Sequence, residues 1–400
     1  MSDYSEFNKS RNSVGIVKKE YVIFSDKIML ESRMLFGPIT IAYETYGTLN
    51  SDKSNAILIL HALTGDSHVA GYYGEKDIKP GWWEFMVGPR KGIDTDKYFV
   101  ICSNIISGCM GSTGPGSINP ETSCPYATHF PLVTLGDMVT AQKKLIDHLG
   151  IEKLLAVIGG SIGGMQALAW SVKYPKTVIS AILLATTARH SALAIAFNEV
   201  ARQAIMADLN WNNGHYYDKK KPNAGLAVAR MIGHITYLSD KSMRKKFGRR
   251  LQDKNNFSFN FSTDFQVENY LHYQGKKFVE RFDANSFLYI TKATDYFDFA
   301  REYGNDSLVM AFSKADAKFL VISFTSDWLY PTYQSKLMVK AMKKSGLDVS
   351  FCEIKADWGH DAFLLPSERF IEMIKNFLKN TYKEIFINSI RHKNPPVSSL

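Results

Sequence analysis

The pentapeptide Gly159-Gly160-Ser161-Ile162-Gly163 constrains this 400-residue chain more than any other feature. It follows an apolar run at residues 154–158 (LLAVI) and opens a helical stretch at 163–173. A serine on a sharp strand-to-helix turn is crowded by its own backbone, so the residues two before and two after it must be small. The hydroxyl of Ser161 then stands clear of the sheet, and the backbone N–H of Ile162 points towards the same space. Such a turn makes Ser161 the candidate nucleophile of a covalent acyl transfer.

The rest of the chain supplies the sheet this turn needs. Short apolar runs rich in β-branched residues recur at 56–60 (AILIL), 98–102 (YFVIC), 178–184 (VISAILL), 319–324 (FLVISF) and 349–354 (VSFCEI). Helical patterns at 135–149, 334–345 and 367–379 separate them. Alternation of this kind predicts an α/β fold with a mostly parallel central sheet covered on both faces. A 45% hydrophobic content is ample for so large a core. Residues 187–295 break the rhythm, with helical patterns at 198–208, 226–237, 265–276 and 285–295 and no convincing strand. They are expected to form an inserted helical lid at the sheet's carboxyl edge, where open α/β sheets bind ligands. The expected organisation is a discontinuous core at 13–186 and 296–385, the lid at 187–295, and flexible termini at 1–12 and 386–400.

A serine hydroxyl is a weak nucleophile until a base takes its proton and a carboxylate orients that base. On this kind of sheet they follow in the order Ser, Asp, His, each beyond a strand's carboxyl end. Of ten histidines, His360 in Trp358-Gly359-His360-Asp361 lies late in the chain just past a strand run. Asp327 follows FLVISF and is the natural acid, with Asp357 and Asp361 as rivals. Asp361 is adjacent to the base, and a neighbour in sequence rarely folds back onto the same imidazole. The oxyanion needs two donors, one from Ile162 and one from the loop after an early strand. His61-Ala62-Leu63-Thr64-Gly65 follows AILIL, and the Leu63 N–H is the candidate, with Thr64 close by. His61 itself is given no role.

The bulk properties narrow the class further. The net charge of +9 is spread along the chain, densest at 241–250 (KSMRKKFGRR) and 219–221. These runs read as solvated surface, or as attraction for a polyanionic small molecule such as a nucleotide thioester. No nucleic-acid reading motif accompanies them, so no nucleic-acid partner is expected. The four cysteines show no metal-ligand spacing, and no metal is expected. The opening MSDYSEFNKSRN has no apolar targeting segment, so reduced thiols and a cytoplasmic location are expected. The longest apolar run, 154–170, is broken by four glycines and two polar residues and does not read as a membrane span.

Beyond these residues, the segments HALTGD, KPGWWEFMVGP, GSTGPGSINP, GGSIGGMQAL, RMIGHITYLSD, FQVENYLHYQGKKFVERFDANSFLY, SFTSDWLYP and WGHDAFL carry a wider resemblance. From about Gly37 to Phe377 the chain resembles the homoserine O-acyltransferases of methionine biosynthesis, most closely the homoserine O-acetyltransferases. The resemblance implies an α/β-hydrolase fold with a helical lid, a homodimer packed through lid helices, and a double-displacement mechanism. It implies acetyl-CoA as co-substrate, L-homoserine as acceptor, and no permanently bound cofactor. On matching positions it implies that Arg230 binds the substrate carboxylate, which suits a guanidinium fork. Tyr237, seven residues on and on the same helical face, shares that pocket, and Asp361 receives the substrate ammonium. Relatives that look succinyl-specific tend to carry arginine two residues after the acid. Here Leu329 stands there, and a buried succinyl carboxylate beside it would lack a partner. One departure is Gly116 in GPGSINP, where serine is commoner in the family; its consequence is open.

Three other readings compete. A serine esterase uses the same three groups if water reaches the acyl-enzyme. A transferase of this fold could use succinyl-CoA as donor or L-serine as acceptor. One methylene separates serine from homoserine, a difference of roughly 1–3 kcal/mol in a pocket. A binding module that had lost its chemistry is disfavoured, because Ser161, Asp327 and His360 are all present.

Overall fold

A computed structural model of the chain describes residues 12–393, with side chains through Ile385. Of the flexible ends expected at 1–12 and 386–400, residues 1–11 and 394–400 lie outside them, and the last helix runs on through Lys393.

The strands, in chain order, are β1 (Glu20–Phe24), β2 (Ile28–Met29), β3 (Leu35–Phe36), β4 (Ile39–Tyr46), β5 (Ala56–Leu60) and β6 (Val87–Gly88). They continue with β7 (Ile93–Asp94), β8 (Phe99–Ser103), β9 (Ala156–Gly160), β10 (Ser180–Leu184), β11 (Lys318–Phe324) and β12 (Val349–Ile354). Eight of them form one sheet in the order β1-β4-β8-β5-β9-β10-β11-β12. The pairs β1–β4 and β4–β8 are antiparallel, and every later pair is parallel. The antiparallel strands β1 and β4 were not anticipated. On β1 (EYVIF), Tyr21 and Ile23 are exposed, so one side of this edge strand faces solvent.

Both faces of the parallel region are covered, as continuous apolar strands require. Leu58, Ile101, Val157, Leu183 and Phe319 pack on one side with Leu168 and Trp170 of helix α2 (Ile162–Lys173). Ile57, Ile59, Val100, Ile158, Leu184 and Ile322 face the other side with Phe370 and Ile374 of the C-terminal helix. The remaining helix of the first half, α1 (Leu135–His148), starts where Thr134 and Asp137 close a reciprocal capping box.

Between β10 and β11 the chain runs through α3 (Ala192–Met206), α4 (Asn223–Tyr237), α5 (Asp240–Lys246), α6 (Gln266–Val279), α7 (Ala284–Tyr296), α8 (Phe299–Gly304) and α9 (Leu308–Phe312). Helix α4 packs on α3 and α6, and α3 also packs on α7. Helix α9 instead packs on α8 and on α10 (Thr332–Lys344), and α8 touches α2. Ser191 and Asp283 cap α3 and α7 through their side-chain oxygens. The chain closes with α11 (Glu368–Lys393). No helix among the described residues is long and apolar enough to cross a membrane.

Candidate active site

Strand β9 runs through both glycines and ends at Gly160, two residues later than the apolar run alone suggests. Ser161 adopts φ 57° and ψ −123°, a strained conformation for a residue with a side chain, at a cost of about 1–3 kcal/mol. Hydrogen bonds hold it there: its N–H donates to the Leu184 carbonyl at 3.0 Å, and Thr186 Oγ1 donates to its carbonyl at 2.7 Å. The need for glycine is steric. A Cβ on Gly163 would lie 2.0 Å from the Leu60 carbonyl oxygen, and one on Gly159 would lie 2.1 Å from the backbone of Gly163. Gly163→Ala is therefore expected to cost about 1–3 kcal/mol or more through overpacking against backbone, and to lose activity with it. A urea-denaturation midpoint equal to that of the parent protein would contradict this packing.

Asp327 stands beyond the carboxyl end of β11 and His360 beyond that of β12. His360 Nε2 lies 2.9 Å from Ser161 Oγ, and its Nδ1 lies 2.8 Å from Asp327 Oδ2. A carboxylate only accepts, so Nδ1 carries the proton and Nε2 is free to accept from the serine. The other oxygen of Asp327 accepts from the N–H groups of Leu329 and Tyr330 at 3.0 and 2.9 Å. All three side chains are buried. Burial alone would lower the His360 pKa, but the charge and hydrogen bond of Asp327, helped by Asp361, outweigh it and raise it above 6.5. The rival carboxylates are elsewhere. Asp357 pairs with Lys241 at 2.8 Å, and Asp361 acts on the imidazole only through its charge.

Leu63 and Ile162 line one small cavity with Ser161, together with Leu329, Tyr330 and Tyr237. Its volume is about 40 Å³, room for roughly three waters. A much larger groove of about 1620 Å³ lies among α3, α7, α8 and α10 but does not reach Ser161. Chemistry, not size, selects the smaller cavity. His61 has a structural explanation. The Ile105 N–H donates to its Nε2 at 3.3 Å, so Nδ1 donates to the Ala62 carbonyl at 2.8 Å. Burial lowers its pKa, and the neutral ring pins the loop that carries Leu63.

Of the residues expected on the acceptor side, Tyr237 lines this cavity and Arg230 packs against the Tyr237 ring. Arg230 Nη1 donates to Thr64 Oγ1 at 3.3 Å, and its guanidinium carbon sits 5.9 Å from the Tyr237 ring. The Tyr237 ring lies 6.0 Å from that of His360. Burial raises the Asp361 pKa above the usual carboxylate range, while the charges of His360 and Arg230 pull it down. The end of α4 is docked on the loops of the acid and base. Trp328 Nε1 donates to the Leu238 carbonyl at 2.9 Å, and Gly359, at φ 79°, lets the backbone of Tyr237 approach where a Cβ would lie 2.5 Å from its oxygen.

Two residues at the site escaped the sequence reading. Tyr330 packs its ring edge-on against His360 at 5.0 Å. Its position three residues after Asp327, within the carboxylate's own hydrogen-bonding turn, was the available signal. Arg281 donates to the Thr64 carbonyl at 3.0 Å, and no local pattern in VERFDANS marks it. Gly116 faces the ring of Tyr217, where a Cβ would come within 3.2 Å. A serine there would press on that ring by a few tenths of an ångström.

Among the described residues no cluster of histidine, cysteine, aspartate and glutamate could hold a metal ion. Residues 55–366 match the family model described as alpha/beta hydrolase fold. The chain is 63% identical over 382 residues to the homoserine O-acetyltransferase of Solidesulfovibrio magneticus, covering 94% of this chain and 96% of that protein. It is 60% identical to the homoserine O-acetyltransferase of Desulfotalea psychrophila, with 94% and 98% covered. Among solved structures, homoserine O-acetyltransferase from Bacillus anthracis superposes with a TM-score of 0.83 at 33% identity, covering 92% of this chain and 97% of that one. Esterase E22 superposes with the same TM-score at 31% identity, covering 91% and 100%. On these likenesses and this fold, the chain belongs to the homoserine O-acetyltransferase family of α/β-hydrolase-fold enzymes.

Proposed function

We propose that this chain moves an acetyl group from acetyl-CoA to the side-chain hydroxyl of L-homoserine through an acyl-serine at Ser161, a step of methionine biosynthesis. The observation that carries the reading is the Ser161–His360–Asp327 relay, at 2.9 and 2.8 Å, with Tyr237 against His360 and Arg230 against Tyr237. His360 takes the Ser161 proton as Oγ attacks the thioester carbonyl. The oxyanion faces the N–H groups of Leu63 and Ile162, which stabilise charge as it develops. The C–S bond breaks, and the thiolate leaves with the proton from His360. In the second half His360 takes the proton of the homoserine hydroxyl, that oxygen attacks the acyl carbonyl, and Ser161 Oγ departs with the proton.

The acceptor side favours an amino acid. Arg230 offers a guanidinium for its carboxylate, and Tyr237 shares that wall. Burial raises the Asp361 pKa, and an ammonium beside it would offset that cost to its charged form. The donor side favours acetyl, since Leu329 lines the small cavity and a succinyl carboxylate would gain no partner from it. Residues 187–295 would act as a lid that excludes water from the acyl-serine in the core of 13–186 and 296–385. The reading includes a homodimer joined through lid helices, where Leu193 and Val200 are exposed. It also includes a cytoplasmic location, in keeping with four free cysteines.

Esterase E22, 31% identical, supports hydrolysis as a second reading. A thiol-release assay crossing acetyl-CoA and succinyl-CoA with homoserine, serine and no acceptor separates them. Acetyl-CoA with homoserine should give the fastest release. Release indifferent to homoserine would make the enzyme a hydrolase.

Arg230→Ala should lose about 2–4 kcal/mol of acceptor binding, some 30- to 1000-fold in kcat/KM for homoserine. Acyl-enzyme formation from acetyl-CoA alone should suffer far less. Equal damage to both halves, by single-turnover thiol release, would contradict this role.

A further inference from the structure

Helix α6 and the turn after it carry residues, from the surface towards the site, that the acetyl-transfer reading does not use. Tyr273 and Lys277 lie one turn apart on α6, and Arg281 follows in the turn just past the end of the helix at Val279. At the inner end, Arg281 donates to the carbonyl of Thr64, next to Leu63. The ring of Phe278 lies 4.8 Å from the Arg230 guanidinium and 5.5 Å from that of Arg281. At the outer end, Lys277 Nζ sits 4.8 Å from the Tyr273 ring, which is 50% exposed.

Across from this end the loop before Gly81 brings up Lys79, whose side chain reaches that of Lys277. Two ammonium groups repel, and neither is seen in an ion pair with a carboxylate among the described residues; the Tyr273 hydroxyl bonds Lys277 and raises its pKa, so the repulsion falls on Lys79. The neighbouring ammonium holds Lys79 below the usual lysine range. The more obvious basic run at 241–250 differs, because much of it is already engaged. Lys241 pairs with Asp357, Arg244 with Asp240, and Arg250 bonds Gln266. An anion carrying more than one charge would turn the Lys79–Lys277 repulsion into attraction, and a half-exposed aromatic ring beside it offers a stacking face.

We propose that Lys79, Lys277 and Tyr273 seat the phosphorylated adenosine of the thioester donor, with Arg281 guiding its arm past Thr64 to Ser161. This rests on the acetyl-CoA reading above. The seat should matter for a donor that carries the nucleotide and not for one that lacks it.

The test compares acetyl-CoA with S-acetylpantetheine on the full-length protein, and measures binding of adenosine 3′,5′-bisphosphate by calorimetry. In the Lys79→Ala/Lys277→Ala protein the preference in kcat/KM for acetyl-CoA over S-acetylpantetheine should fall at least about tenfold. The bisphosphate should bind at least about tenfold more weakly, and Lys79→Arg/Lys277→Arg should restore both. An unchanged preference with unchanged bisphosphate affinity overturns the seat. A parent protein that binds the bisphosphate at these lysines but transfers no acetyl group to homoserine overturns the functional reading and leaves the nucleotide seat standing.

Discussion

Ser161→Ala protein incubated with acetyl-CoA acquires no acetyl adduct by intact-mass measurement, and its transfer rate falls by roughly 10⁴-fold or more. The expectation follows from the geometry. Ser161 Oγ is the atom 2.9 Å from His360 Nε2, and it stands on a turn that Gly159 and Gly163 make possible. Removing one oxygen leaves the elbow, the cavity and the Leu63 and Ile162 donors in place, so stability should change little and binding should persist. The effect is therefore chemical. An adduct of undiminished yield on the alanine protein would place the nucleophile elsewhere and undo the double displacement.

The second large effect is expected from Asp327→Asn, about 10⁴-fold in kcat. The carboxylate does three things at once. It fixes the His360 tautomer through Nδ1, it stabilises the imidazolium that forms when the serine proton is taken, and it is itself held by the Leu329 and Tyr330 N–H groups. Asparagine fits the space but can offer its NH₂ to Nδ1, which puts the imidazole proton on Nε2, facing the serine. The base is then blocked.

The pH profile should change in a defined direction. Only neutral imidazole can act as base, so activity of the parent rises with pH through the His360 pKa, which Asp327 and Asp361 lift above 6.5 against burial. Without the Asp327 charge, burial dominates and the acid limb should move to lower pH while the plateau collapses. A limb that stays put would mean that another group sets it.

Much of this site is local and could be read from the chain. The elbow is a contiguous pentapeptide after a fully buried strand, so its steric logic is written in neighbouring residues. That Ser161, Asp327 and His360 can meet also follows from parallel topology, because the carboxyl ends of β9, β11 and β12 reach the same rim. Strand β1 was missed for the converse reason. It lies at the sheet edge with its side chains half in solvent, and its four-residue apolar run, YVIF, is too short to separate from a loop by sequence alone.

What the chain alone decided, then, is where a reactive serine can sit and which later turns could serve it. The tertiary structure decided the partners. Asp327, not Asp357 or Asp361, meets an imidazole 33 residues away, and that imidazole meets a hydroxyl 199 residues away. Arg230 and Tyr237 reach the same place because Gly359 and Trp328 dock the end of α4 on the catalytic loops. Arg281 and the Lys79–Lys277 pair had no local signature at all. Short-range sterics depend on adjacent residues and are legible in order; charge and hydrogen-bond partners depend on distance in space, which packing alone sets.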